Sequence, residues 1–265
     1  MQITSRDNSL LRQVRAVRDG KIEDLIFIEG LRLCEEAYRS DLAIEAVVVS
    51  EELLRKERAA AVIGELSRVS KRVASVSEKL LESVSYTKTP QGIIMLAQRP
   101  AASEERLAAS LDAHPLLVVL HQINNPVNVG AIVRTAEAAG ATGVIATKNT
   151  SDPFSPKALR GAMGSAFRLP MWGGVEYGEM IEWCRQRGIV TVCADVEAST
   201  SYTELDWTGP SAILLGPEST GFTTEELEEA DRRVSIPMKG DAESLNVSVA
   251  AGILLFEAAR QRASC

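Results

Sequence analysis

The chain is expected to be an α/β protein of two domains, and three observations predict it. Apolar runs of strand length alternate with helical stretches along the chain. Its 265 residues are enough for two cores. A stretch of small and charged residues with two prolines, AQRPAASEERLAASLDAHP, interrupts the alternation. The expected division is a first domain over 1–99, a linker over 100–114 with room for a short helix in its middle, and a second domain over 115–265.

In the first part LIFIEG (Leu25–Gly30) reads as a strand entering the helix LRLCEEAYRS. AIEAVVVS (Ala43–Ser50) is a second strand, ELLRKERAAAVIGELSRV a helix, and QGIIMLAQ (Gln91–Gln98) a final strand. No cluster of polar residues suited to chemistry stands out there, which suggests a binding or positioning role. In the second part LLVVL (Leu116–Leu120) is a continuous apolar strand, as a sheet covered on both faces requires. VGAIVRTAEAAG is a helix stopped by Gly140. GVIAT (Gly143–Thr147) is a strand, and SPKALRGAMGSAF and EMIEWCRQRG are helices. IVTVCA and AILLG are strands, TTEELEEAD a helix and RVSIPM a strand. The last helix, from about Leu245 to Arg262, is apolar almost all round between Val247 and Phe256. Such a helix needs burial on most faces, which points to a homodimer using it.

Composition narrows the functions. The balance of 45% apolar and 25% charged residues is that of a globular protein. No apolar run nears the roughly 18–20 residues of a membrane span. The polar, basic N-terminus is no secretory signal, so a cytoplasmic protein is expected. Cys34, Cys184, Cys193 and Cys265 form no CxxC pair, and His114 and His121 are the only histidines; no metal site is expected, and buried free thiols are the reading. Residues 1–100 hold 16 basic and 15 acidic side chains, so the net charge of −7 belongs to the second part. Arg6, Arg12, Arg15 and Arg18 stand against Asp7 alone in the first 18 residues. They read either as a solvated helix face or as contacts to RNA phosphates.

Three polar segments fall at strand ends, where ligands bind in open α/β sheets. HQINNPVNVGAIVRTAEAAG carries Asn124, Asn125, Asn128, Gly130 and Arg134; Arg134 alone could be an exposed partner of Glu137. In LLGPESTGF, Gly216 and Gly221 bracket Glu218, and Ser219, Thr220 or Thr223 could cap the next helix. In IPMKGDAESLNVSVAAG, Ser244 or Asn246 opens the last helix, and Ser244 could be merely its cap. Neither GxGxxG after a strand nor GxxxxGK[ST] occurs, which disfavours a dinucleotide site or P-loop.

Taken in order, these segments resemble the three signature motifs of the SpoU-type RNA 2′-O-ribose methyltransferases of the α/β-knot (SPOUT) superfamily. The resemblance covers about Leu116 to Arg262. It implies S-adenosylmethionine as cofactor, a C-terminal trefoil-knot domain with a parallel sheet, and a homodimer. IFIEGLRLCEEA with AVVVS resembles, more loosely, the small L30e-like domain that precedes the catalytic domain in the ribosomal-RNA branch. That favours large-subunit (23S) rRNA over tRNA as substrate. Asn125, His121 and Ala162 depart from the family pattern, which more often has Asp, an acidic residue and Ser there.

The resemblance implies a catalytic set of Asn128, Arg134, Glu218, Ser244 and Asn246. It implies cofactor contacts at Ala194, Leu215, Gly216, Ile236, Met238, Ser244 and Leu245, largely through backbone. Arg134 would join Arg6, Arg12 and Arg15 in contacting RNA. It is either the proton acceptor or, since a guanidinium normally stays protonated, a phosphate clamp that stabilises the developing alkoxide. Asn128 would orient Arg134 or the ribose, and Glu218 would position Arg134 or Asn128. The rivals are base methylation, tRNA 2′-O-methylation, a non-catalytic RNA-binding ribosome-assembly factor with the same fold, and a small-molecule enzyme on a doubly wound sheet, which the missing phosphate fingerprints disfavour.

Overall fold

A computed structural model describes residues 1–263. The chain clusters into two compact units, one of residues 1–100 with 154–168 and one of 101–153 with the rest of the described chain from 169. Cys265 lies outside the described residues.

The first unit is built on a five-stranded sheet. Along the chain come β1 (Gln2–Ile3), α1 (Ser9–Arg18), β2 (Leu25–Glu29), α2 (Leu31–Arg39), β3 (Ile44–Ser50), α3 (Glu51–Leu54), α4 (Glu57–Val69), β4 (Arg72–Val76), α5 (Glu78–Glu82) and β5 (Ile93–Gln98). The strand order is β1-β4-β3-β5-β2. β5 runs antiparallel to both β2 and β3, so the sheet is mixed. One core cluster joins Leu11 and Val14 of α1 to Phe27, Val48 and Leu96. Buried Glu29 ends β2 and accepts from Tyr86 N, Thr87 N and Thr87 Oγ1, tying down the loop before β5.

The second unit starts with α6 (Glu104–Ala108), inside the expected linker; its Leu107 is fully buried and packs with Leu117. Then come β6 (Leu116–Leu120), α7 (Pro126–Ala138) and β7 (Gly143–Thr147). The chain next supplies α8 (Pro156–Ala162) and α9 (Ser165–Arg168), which belong to the first unit. There Arg168 pairs with Glu36 at 2.8 Å. These two short helices replace the single helix expected, because Met163 and Gly164 take positive φ of 49° and 98° and break it. Gly164 has no substitute: a Cβ would stand 2.8 Å from the Glu36 side chain.

The rest of the second unit is β8 (Met171–Val175), α10 (Tyr177–Gln186), β9 (Val190–Ala194), β10 (Ser211–Leu215), α11 (Thr224–Glu229), β11 (Arg232–Val234) and α12 (Val247–Arg262). The sheet order is β11-β9-β10-β6-β7-β8, and every pairing is parallel. The C-terminal ends of β6, β9, β10 and β11 therefore share one edge. The strand order reverses between β6 and β10, and a crevice opens at such a reversal. RVSIPM is strand only to Val234, leaving Ile236 and Met238 in a loop.

Arg262 staples the end of α12 to the starts of the strands, donating to the carbonyls of Trp207, Gly209 and His114 and to Ser211 Oγ. In this single chain α12 buries Ala251, Leu254, Leu255 and Ala258, while Val249 and Phe256 are 51% and 53% exposed. One apolar stripe of the helix thus remains open, at a spacing of seven residues that keeps it on one face. Cys34, Cys184 and Cys193 are free and buried, and burial pushes the Cys184 and Cys193 thiols up to about 12.

Candidate active site

The site lies at the shared edge. Leu116–Leu120 is wholly buried, so the chain turns polar only at His121 and swings into α7. Asn125 caps that helix by accepting from Val127 N at 3.0 Å, and Pro126 occupies the first turn. These choices fix where Asn128 falls. It is 6% exposed, among buried Val129, Ile132 and Val133.

Asn128 Nδ2 donates to Glu218 Oε1 in a short bond, and Asn246 Nδ2 donates to Asn128 Oδ1 at 3.4 Å. Asn246 Oδ1 accepts from Ser248 N at 2.9 Å and so caps α12. The chain of bonds has one direction. A carboxylate can only accept, so Glu218 turns the amide nitrogen of Asn128 toward itself. The oxygen of Asn128 then calls for the nitrogen of Asn246, whose oxygen is left for the helix terminus. One charge thereby orients two amides. Asn246, and not Ser244, is the cap.

A cavity of about 520 Å³ adjoins this chain of bonds. Ala194, Leu215, Gly216, Ile236, Met238, Ser244 and Leu245 all line it, as do Glu218 and Asn246. Sequence reasoning missed Asp195, Glu197, Phe222 and Leu227, which also line it. The signal for Asp195 was available, since it is the first polar residue after the apolar run IVTVCA. No Lys or Arg is among the lining residues, whereas Asp195, Glu197 and Glu218 are. Asp195 is bound by Arg233 from outside the cavity.

Arg134 is not brought to this cavity. It is exposed on α7 and makes no salt bridge among the described residues, to Glu137 or to any other partner. Helix geometry explains the separation. Six residues from Asn128 to Arg134 advance about 9 Å along the axis and turn through about 600°, which leaves the two some 120° apart. Glu218 accordingly meets Asn128 and leaves Arg134 alone. Of the remaining candidates, Arg6 and Arg12 are exposed in the first unit, and Arg15 donates to the carbonyl of Arg6 at 2.8 Å.

A second cluster backs the 216–223 loop. His121, 2% exposed, places Nε2 at 2.8 Å from Glu226 Oε1 and Nδ1 at 3.1 Å from Thr147 Oγ1. Burial pushes its pKa below the ordinary 6.5, against the opposing pull of Glu226. The other groups facing the ring are Gln122, whose Nε2 stands 3.2 Å from His121 Nε2, Tyr177 and Phe222. Since the folded pKa is depressed, His121 makes the fold most stable above about pH 6.5. As pH falls below that range the unfolded chain takes up the proton first, and stability declines until folded His121 also protonates. Urea melts between pH 8 and 5 are expected to show this decline in the parent chain, and a shallower one in His121→Gln.

Residues 115–256 match the SpoU rRNA Methylase family. The chain belongs to that family. Residues 10–95 of this SpoU methylase match the MRM3-like substrate binding domain. A 23S rRNA (guanosine-2'-O-)-methyltransferase, RlmB, of Ralstonia nicotianae is 35% identical over 193 residues, which are 72% of this chain and 78% of that protein. A 23S rRNA (uridine(2479)-2'-O)-methyltransferase of Streptomyces viridochromogenes is 32% identical over 74% of this chain and 69% of its own. Among solved structures, an AdoMet-bound rRNA methyltransferase from Sinorhizobium meliloti superimposes with a TM-score of 0.85 at 29% identity, covering 98% of this chain and 97% of that one.

Proposed function

We propose that this SpoU methylase transfers a methyl group from S-adenosylmethionine to a ribose 2′-hydroxyl of large-subunit ribosomal RNA. The observation that carries the reading is that the second and third segments line one cavity and that Asn128 of the first is bonded to both, through Glu218 and Asn246. The cavity also suits the cofactor. Its volume is that of a small-molecule site. A lining with three carboxylates and no basic side chain favours a ligand bearing a sulfonium and an ammonium.

The bound cofactor would supply a methyl group already made electrophilic by its sulfonium. The chain's residues then have three tasks. Backbone at Leu215–Gly216, Ile236–Met238 and Ser244–Leu245 holds the cofactor. Asn128, kept in orientation by Glu218 and Asn246, positions the ribose. Since Arg134 stands away from this chain's own cavity, the same reading has it act at the cavity of the second copy in the dimer, where it would hold an RNA phosphate and stabilise the charge growing on the 2′-oxygen. Arg6, Arg12 and Arg15 extend the phosphate contacts. The trefoil knot and a cytoplasmic location belong to the same reading; among the described residues no helix is long and apolar enough to cross a membrane.

Incubation of the purified chain with labelled cofactor and either ribosomal RNA or tRNA tests the proposal. The expected product is one labelled site in 23S rRNA at which alkali no longer cleaves, because a 2′-O-methyl removes the attacking hydroxyl. A label whose site stays alkali-sensitive would mean base methylation. A label only in tRNA would overturn the substrate, and no label with retained RNA binding would mean an assembly factor.

The homodimer is part of the proposal. The open stripe of α12, with Val249, Gly252, Ile253 and Phe256 at helical spacing, fits a second copy of the same surface. Sedimentation at micromolar concentration is expected to give twice the chain mass. Phe256→Glu is expected to give the single-chain mass with the fold retained.

A further inference from the structure

We propose that His121 is a positioning residue for the cofactor pocket: its bond to Glu226 and its stack on Phe222 set the 216–223 loop in the form that admits the methyl donor. The inference rests on the function proposed above and assigns a role in it to a side chain that does not itself line the cavity.

The imidazole ends β6, the strand beside β10, whose own end leads into Gly216. Glu226 can only accept, so Nε2 donates to it when that nitrogen carries the proton, with Nδ1 accepting from the Thr147 hydroxyl; the Gln122 side-chain amide also stands 3.2 Å from Nε2. Glu226 is thereby held at one oxygen. Its other oxygen accepts from Thr223 N at 2.8 Å, while Thr223 Oγ1 accepts from Glu226 N at 3.2 Å. This reciprocal pair caps α11. The cap of α11 is thus fastened to the end of β6 through one imidazole.

A second route runs through the rings. The imidazole lies 10° from parallel to Phe222, with centroids 5.6 Å apart. The same phenyl ring covers Gly216 so closely that a Cβ there would stand 2.8 Å from it. Tyr177 closes the cluster from α10, its ring edge-on to His121 at 4.8 Å and its hydroxyl donating to Glu226 O at 2.7 Å. Phe222, Gly216 and Leu227 of α11 all line the cavity. Both routes from His121 therefore end on the cavity wall.

The chemistry of position 121 matters because the wall there offers backbone. Side chains can re-aim to meet a ligand; backbone groups bind only if the loop that carries them is already in place, to within about 0.5 Å. An acidic side chain at 121 would meet Glu226 with like charge and release the cap. A neutral imidazole supplies the donor that Glu226 needs and the flat face that Phe222 needs.

The test is calorimetric binding of S-adenosylmethionine to the full chain, with steady-state kinetics on rRNA. His121→Leu is expected to weaken cofactor binding at least tenfold and to raise the cofactor KM in proportion. Its kcat at saturating cofactor should stay within about threefold, and its KM for RNA should be unchanged. His121→Gln, which keeps a donor toward Glu226, is expected to recover most of the affinity. Glu226→Ala, which cuts the same link from the other side, covers the case in which the Leu variant does not fold, and should weaken cofactor binding likewise. Equal cofactor affinity in parent, His121→Leu and Glu226→Ala proteins would overturn the inference alone. A fall in kcat with cofactor affinity intact would also overturn it. Failure of the parent chain to bind S-adenosylmethionine would overturn the proposed function, and the inference with it.

Discussion

Arg134→Ala is expected to lower methyl transfer by about 10²- to 10³-fold, the usual loss when one group stabilising a developing oxyanion is removed. The thermal midpoint should not move. Arg134 is exposed and holds no salt bridge among the described residues, so truncation removes nothing that supports the fold; surface changes of this kind usually stay within about 0.5 kcal/mol. Few positions in the protein should separate activity from stability so cleanly. Arg134→Lys then divides the two roles. A lysine keeps the positive charge, so substantial activity at neutral pH would support the phosphate and alkoxide role and disfavour a guanidine acting as base. Single-turnover transfer to rRNA, measured beside a calorimetric melt, checks both variants.

The second large effect is expected at Asn128→Asp. The change is nearly isosteric, yet it replaces the donor to Glu218 with a carboxylate. Two carboxylates then face each other at hydrogen-bond distance, and the order of the amides is lost, since nothing turns the nitrogen of Asn246 inward. A hydrogen bond to a charged group contributes about 1.5–3 kcal/mol, which sets the expected loss in kcat/KM at roughly 10- to 150-fold. The sign of its pH dependence follows. Like charges raise the pKa of one member of the pair, so lowering the pH from 8 toward 5.5 should protonate it and restore part of the activity. Asn128→Ala lacks the second carboxylate and should show no such recovery. A flat profile for Asn128→Asp would mean that Glu218 does not orient Asn128 in the working enzyme.

Much of the site could be read in advance because its segments announce themselves by contrast. LLVVL, IVTVCA and AILLG are apolar runs that stop abruptly at polar residues, and in a parallel sheet those stops all fall on one edge. The seven positions expected at the cofactor do line one cavity. The link from Asn128 to Glu218 spans 90 residues and depends on β6, which leads into α7, pairing with β10 in the sheet. Nothing local to either segment encodes it. The His121 cluster was missed for the same reason. It draws on β6, β7, α10 and α11, and in the sequence His121 shows only as a polar residue after a strand and a departure from the family pattern, with no sign of its partners.

The misread elements have two different causes, one local and one tertiary. β4 (RVASV) and β8 (MWGGV) escaped notice because polar residues or glycines interrupt their apolar runs. The helix expected over SPKALRGAMGSAF breaks because Gly164 packs against Glu36, a residue 128 positions away.

The sequence by itself determined the alternation of strands and helices, the location of the polar segments at strand ends, and the family. These follow from hydrophobic periodicity and from runs of contiguous residues, which are local properties. Only the tertiary structure decided which polar residues meet. It joined Asn128 to Glu218 and Asn246, left Arg134 exposed away from the cavity, placed 154–168 in the first unit, and set His121 behind the 216–223 loop. The physical reason is that a hydrogen bond or a ring stack requires groups within a few ångströms. Which distant groups come that close is fixed by strand order and helix packing, and neither is carried by any one segment.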